Sequence, residues 1–436
     1  MTIVGQAHDN LALQNPVTSA TTGGFVMRFT CDGQNLRFST YLSLSRGHPH
    51  CHSNTSRVIA DSDSTFIVFR NVSPIRYSPL QPPLPTVYSG VPPVTRNSLL
   101  PFDTVWTSYL GRFSAHGSIL YGSTFGHRWS PGESRIYLTD VERAVDGTVY
   151  ILGMAKDPVF PFVKPDALYP PTDEYGSFVL RLNPHLDSVL TGTFFVPGEY
   201  TCFVTDFALD FDGTVLLTGM VGWGDLPVTP DAFQSSRMGD QLLKFERIDN
   251  FLARLSPNLT AVEYCSYLGG SRAETSMIDN QQEYDSVWNV YTLHNSAAGS
   301  FYLSPKIAPD GHGNIYMAGI TRSPDFPLLN PIQASVLVDT NLGSAEATVY
   351  LTKFRRNGRP IFSTVHGGSS EHYLENLEIL PCGRVLLSGL TSSEDFPLKN
   401  QARSRDVLVP GDGHIGNIFS MFIALFDSSG SNNRVS

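Results

Sequence analysis

The sequence predicts an all-β fold: a β-propeller of four-stranded antiparallel blades, with six repeat units visible in 436 residues. Three observations predict it. A glycine–glycine–proline motif of fixed internal spacing recurs four times, and a strand carrying an aromatic residue and a base recurs along the whole chain. No long segment carries the apolar period of 3.6 that a helical solenoid needs.

The fixed spacing is Gly, five residues, Gly, seven residues, Pro. It occurs as Gly147, Gly153, Pro161; Gly213, Gly219, Pro227; Gly313, Gly319, Pro327; and Gly383, Gly389, Pro397. Short apolar runs such as Val149-Tyr150-Ile151-Leu152 and Val215-Leu216-Leu217 fill the gap between the glycines. Each reads as a buried strand entered through a tight turn, plainest at Asp146-Gly147 and Asp212-Gly213.

The second strand reads aromatic, two residues, base, apolar. Its copies run from Phe25 to Arg28, Tyr109 to Arg112, Phe178 to Arg181, Phe251 to Arg254 and Tyr350 to Lys353, and Phe422 to Leu425 is a sixth without the base. A turn leads from it to a third strand, as in Tyr264-Cys265-Ser266-Tyr267-Leu268. A fourth precedes the Asp-Gly turn, as in Asp206-Phe207-Ala208-Leu209. Four strands per unit with unequal loops is the unit of a propeller. With the strands named A to D from the one before the Asp-Gly turn, the units span approximately 1–43, 57–124, 138–194, 204–267, 304–365 and 374–426 of a single propeller domain. The second departs from the pattern, with Asp63-Ser64 at its turn. The stretch 241–255 is expected to start with one helical turn inside a loop.

These motifs resemble the bacterial SBBP (seven-bladed β-propeller) repeat, best over Gly313 to Pro327, Gly383 to Pro397 and Tyr264 to Gly270. The resemblance implies a propeller and a secreted or cell-surface setting, and no activity. Met1 to Gly5 reads as a B strand without its A partner, and the last D strand is expected to be absent or very short. Because open edges are costly, the expectation is a partial copy of a longer protein, closing as six or seven blades.

Composition narrows the partners. Thirty Lys and Arg against 40 Asp and Glu give a net charge of −10, a field that repels nucleic acid and anionic lipid. No apolar stretch is long enough to span a membrane, and the start lacks the basic and apolar regions of a signal peptide. Cys31, Cys51, Cys202, Cys265 and Cys382 show no paired spacing and read as free thiols. The chain is expected to be a monomer whose ligand is a protein or a carbohydrate.

The turns A–B and C–D are short, whereas B–C and D–A are long, so length variation collects on one face, where binding usually resides. His48, His50 and His52, around Cys51 in a D–A loop, are the densest candidate metal ligands, suited to Zn²⁺ or Cu²⁺, although nothing in the sequence requires a cofactor. Candidate ligand-binding residues are the polar and aromatic loop residues that do not repeat: Trp223, Asp279, Glu283, Tyr284, Asp285, Trp288 and His294. The repeated acids Asp225, Asp325 and Asp395 are expected to cap their own turns, with Leu226, Phe326 and Phe396 packed between blades. The repeated Arg28, Arg112, Arg181, Arg254 and Lys353 are expected in ion pairs between blades or on strand surfaces.

Motifs for a serine nucleophile, a zinc protease or a phosphate loop are absent. The expected function is therefore a non-catalytic binding propeller, with an enzyme of lyase, hydrolase or alkylating type at the mouth of the channel as the alternative.

Overall fold

The computed structural model describes residues 2–7, 12–16, 23–30, 32–41, 56–60, 65–71, 95–99, 106–126, 135–156, 160–174, 176–197, 202–222, 224–238, 248–274, 305–337, 347–398, 420–428 and 433–435. The fold is a β-propeller of four-stranded antiparallel blades, and no helix occurs among the described residues. The chain divides into two compact units, Met1–Glu199 with Val287–Ser300, and Tyr200–Ser286 with Phe301–Ser436.

The first unit holds three sheets. One is three-stranded: β1 (Thr2–Ala7), β2 (Gly23–Phe29) and β3 (Leu36–Tyr41). Here β1 pairs with β2 as the B strand read from the sequence. The next sheet is β4 (Ser56–Ala60), β5 (Thr65–Asn71), β6 (Trp106–Ser114) and β7 (Ile119–Gly126). The third is β8 (Arg135–Arg143), β9 (Val149–Lys156), β10 (Gly176–Leu182) and β11 (Val189–Phe195). Ile67 and Leu110 of one sheet pack on Leu138, Ile151 and Phe178 of the next.

The second unit holds three four-stranded sheets. They are β12 (Cys202–Leu209), β13 (Val215–Val221), β14 (Asp249–Leu255) and β15 (Val262–Leu268); then β16 (Lys306–Pro309), β17 (Ile315–Thr321), β18 (Thr348–Phe354) and β19 (Pro360–His366); then β20 (His372–Ile379), β21 (Val385–Thr391), β22 (Ser420–Phe426) and β23 (Asn433–Val435). The last D strand is thus very short, pairing only with Ala424, Leu425 and Phe426. Residues 249–255 form β14, the strand read from Phe251 to Arg254, and complete the ladder with β13; residues 241–247, where the helical turn is expected, lie outside the described residues. Within this unit the A strands are tied to one another: the Ile307 N–H of β16 donates to Asp206 Oδ2 of β12 at 2.9 Å.

At two copies of the motif, the physical reason for the second glycine lies in the A strand. A β-bulge interrupts A at Val204/Asp206 and at Leu374/Asn376, opposite Gly219 and Gly389. A Cβ on Gly219 would stand 1.8 Å from the Phe203 carbonyl oxygen, and one on Gly389 would stand 2.0 Å from that of Tyr373. The bulge pushes a carbonyl into the space that a side chain would fill.

A second bulge sits beside each base of the C strands, at Arg181/Leu182, Arg254/Leu255 and Lys353/Phe354. Arg112, Arg254 and Lys353 reach the next blade's C–D turn. Arg254 donates to the Arg356 carbonyl, Lys353 Nζ to that of Ser428 at 2.8 Å, and Arg112 to that of Pro184 at 3.1 Å. Arg181, Arg254 and Lys353 also form ion pairs within their own blades, with Asp146, Glu263 and Asp310. For Arg112, Arg254 and Lys353 the described bonds between blades are thus charge-assisted bonds to backbone carbonyls.

Phe326 and Phe396 pack between successive blades of the second unit, as expected of them. Their neighbouring acids do not cap their own turns. Asp325 Oδ1 accepts from the backbone N–H and the hydroxyl of Ser271, both at 2.8 Å, and Asp395 Oδ1 accepts from Ser369 in the same way. Each acid therefore latches the segment that leaves the preceding blade.

Candidate active site

The residues singled out from the sequence, His48, His50, His52, Trp223, Asp279, Glu283, Tyr284, Asp285, Trp288 and His294, all lie outside the described residues. Among the described residues no three His, Cys, Asp or Glu side chains gather as a metal site would require. No helix among them is long and apolar enough to cross a membrane.

The described residue set holds a different cluster, where β14 begins and the chain leaves β15. Asp249 is the first residue of β14, paired with Val221. The same register position carries Thr348 opposite Thr321 in the next blade and Ser420 opposite Thr391 in the one after. An acid here is a departure from the repeat, so the blade's own architecture does not explain it. The Asp249 side chain is fully buried. Its Oδ2 accepts from the Met238 N–H at 3.0 Å, and its Oδ1 has no hydrogen-bond partner.

Glu274 lies beside it, because its N–H donates to the carbonyl of Ile248 at 2.7 Å. Its side chain turns inward, 1% exposed. Oε1 accepts from the Ser323 hydroxyl at 2.6 Å and from the Gly270 N–H at 2.8 Å, while Oε2 has no hydrogen-bond partner. The glycines make this approach feasible. A Cβ on Gly269 would stand 2.6 Å from the Asp249 carboxylate, and one on Gly270 would stand 2.4 Å from Ser323 Cβ. Asn250 ties the cluster together, donating to the Glu274 carbonyl at 3.2 Å and accepting from the Tyr350 hydroxyl at 2.7 Å.

Two buried carboxyls, each with an unsatisfied oxygen, hold protons tightly. Burial raises Asp249 to about 7 against the Met238 N–H and the Arg237 charge, with Asp325 adding to the rise. Burial raises Glu274 to about 8 against the Ser323 and Thr321 hydroxyls and the Gly270 N–H, and the charge of Asp249 adds to the rise. Near neutrality Glu274 is mainly an acid, while Asp249 is divided between acid and base.

The repeat separates scaffold from departure. In the next blade Gly368, Ser393 and Asp395 stand where Gly270, Ser323 and Asp325 stand, and His372 takes the place of Glu274. The bonds on Glu274 Oε1 therefore belong to the blade. Asp249 and Glu274 Oε2 do not.

No protein-family model matches the chain. No curated protein matches it either. Solved structures do match. Puromycin hydrolase has 10% identity and a TM-score of 0.38, with 95% of this chain and 43% of that one covered. A bifunctional GH43-CE protein of Bacteroides eggerthii has 11% identity and a TM-score of 0.35, with 90% and 35% covered. An endo-arabinase from Bacteroides thetaiotaomicron has 10% identity and a TM-score of 0.33, with 78% and 89% covered. The chain spans about a third of the length of the GH43-CE protein and of an acylaminoacyl peptidase that it also matches. These three proteins are enzymes, whereas the expectation from the sequence is a non-catalytic binding propeller. None of them indicates which residues of this chain would act.

Proposed function

We propose that the chain is an acid–base enzyme of hydrolase or lyase type, with Glu274 as general acid and Asp249 as general base. The observation that carries this reading is the pair itself: two buried carboxyls, one unsatisfied oxygen on each, where the following blades carry Thr348 and Ser420 in place of Asp249 and one carries His372 in place of Glu274. Efficient acid–base catalysis needs groups that titrate near the working pH, and burial supplies that shift here. The placement agrees with the scaffold, since Asp249 follows a B–C connection and Glu274 opens a D–A connection, the two connections that carry the length variation. In this role Glu274 donates its proton to a leaving oxygen or nitrogen, and Asp249 takes one from water or from the substrate carbon. Asn250 and Ser323 position the pair.

The test is turnover by the full chain of p-nitrophenyl glycosides, peptide p-nitroanilides, p-nitrophenyl esters and uronate-containing polysaccharides between pH 5 and 9. One class is expected to turn over with a bell-shaped pH profile. Asp249→Asn and Glu274→Gln are each expected to lower kcat by about 10²- to 10⁴-fold, the usual contribution of a positioned acid or base. An activity that survives in both folded variants, or turnover of none of these classes, would overturn the assignment.

A further inference from the structure

A different residue of the second unit has both faces of its chemistry committed. His372 begins β20 and is fully buried. Its Nδ1 lies 2.8 Å from the Ala347 carbonyl, which also accepts the His372 backbone N–H at 3.0 Å. A carbonyl can only accept, so Nδ1 carries the proton. On the other side Nε2 accepts from the Gly368 N–H at 2.9 Å. An N–H can only donate, so Nε2 must be bare. The ring thus bridges the segment leaving β19 to the residue before β18, in one tautomer and one charge state.

The surroundings admit no easy second state. Gly367 closes over the ring, since a Cβ there would stand 3.0 Å from both Cε1 and Nε2. The Phe396 ring lies 5.5 Å away, and that same ring meets His366 edge-on at 5.0 Å. Among the described residues His366, Asp395, Glu371, Tyr373 and Arg322 lie around this region. His366 of β19 is itself buried, and its charge would oppose one on His372. Asp395, beyond β21, would favour such a charge, but its Oδ1 is occupied by Ser369. Glu371, the preceding residue, is engaged by the Tyr373 hydroxyl at 2.9 Å and by Arg322 at 3.9 Å.

We propose that His372 is an acid-released latch: the neutral ring holds the connection between β19 and β20 closed, and protonation at Nε2 sets two donors against each other and frees the segment Gly367–Glu371. The equivalent latch one blade earlier does not behave in this way. Glu274 Oε1 accepts from the Gly270 N–H whether the carboxyl is protonated or ionised, because Oε2 takes the proton. Burial opposes a charge on both rings, lowering His372 and His366 to about 4, so release belongs to acidic rather than neutral conditions.

Amide hydrogen exchange at Gly368 and Ser370 in the full chain, measured between pH 7.5 and 4.5 and corrected for intrinsic rates, tests the latch. In the wild type, protection there is expected to fall roughly tenfold or more over that range, while protection at Gly270 holds. His372→Gln keeps an acceptor but cannot titrate, so it should abolish the fall, whereas His366→Gln should leave it in place. An equal fall in wild type and His372→Gln would overturn the proposal, as would a fall removed by His366→Gln alone. If His372→Gln does not fold, the ¹⁵N shifts of His372 in the wild type decide. A single Nδ1–H tautomer down to about pH 5 supports the latch, and mixed tautomers titrating near 6.5 sink it.

Discussion

Glycines that look alike in the repeat do different work at the level of single residues, and the difference can be measured. Gly219 meets a carbonyl oxygen at 1.8 Å from where its Cβ would lie, and that carbonyl belongs to a bulge which cannot withdraw without breaking the ladder of β12 with β13. Gly383 has open space around it and a φ of +76°, so a side chain there meets only the strain of the left-handed region. Gly219→Ala should therefore cost about 3 kcal/mol or more, an overpacking penalty against rigid backbone, and Gly383→Ala about 1 kcal/mol. Urea midpoints of the two variants check this ranking. Equal losses would mean that the A-strand bulge relaxes freely and does not dictate the motif.

At the level of elements, the strands are locked together by residues whose partners lie far along the chain. Asp325 reaches Ser271 across 54 positions, accepting two bonds from it. Asp325→Ala leaves a backbone N–H and a hydroxyl without their acceptor. Because that site is exposed, water replaces part of what is lost, and the cost should stay near 1 kcal/mol. Exchange should quicken at Ser271 and Arg272 while the core of β14 is unchanged. Slow exchange retained at Ser271 would show that Gly270 and Glu274 hold the segment without the acid. This example marks where sequence reading stops. The strands were legible because each buries an apolar run bounded by glycine turns, a purely local pattern. The role of Asp325 was not, since an acid in a turn looks like a cap for that turn until the fold brings Ser271 beside it. The carbonyl partners of Arg112, Arg254 and Lys353 are hidden for the same reason: they lie on the following blade, carry no charge and leave no mark on the sequence.

For the whole molecule, the candidate site and the latch combine into a statement about pH. Asp249 and Glu274 were legible in principle. Aligning the starts of the C strands sets Asp249 against Thr348 and Ser420, and aligning the double glycines sets Glu274 against His372. What the sequence does not carry is burial, which turns these departures into shifted titrations. The signs are opposed. Asp249 and Glu274 hold protons in the folded chain that the unfolded chain gives up near pH 4, so their contribution is complete below about pH 4 and is lost as pH rises toward 7 and 8. His366 and His372 are titrated first in the unfolded chain, so their contribution is complete above about pH 6.5 and is lost as pH falls toward 4. All four groups belong to the unit Tyr200–Ser286 with Phe301–Ser436. In the other unit the described acids with resolved shifts, Asp32, Asp146 and Asp187, are exposed, lowered first of all by side-chain hydrogen bonds to Thr30, Thr148 and Asn183. Exchange of peptides from β12 to β22 in the full chain should therefore slow to a minimum rate at mildly acidic to neutral pH and quicken on both sides, beyond the intrinsic pH dependence. Peptides from β8 to β11 should show a much flatter profile. Glu274→Gln should flatten the alkaline limb only, and His372→Gln the acidic limb only. If both variants change the same limb, the two sets of groups act through one another and the separate assignments fail. If neither changes a limb, the burial that sets these titrations is relieved by local opening before the unit unfolds.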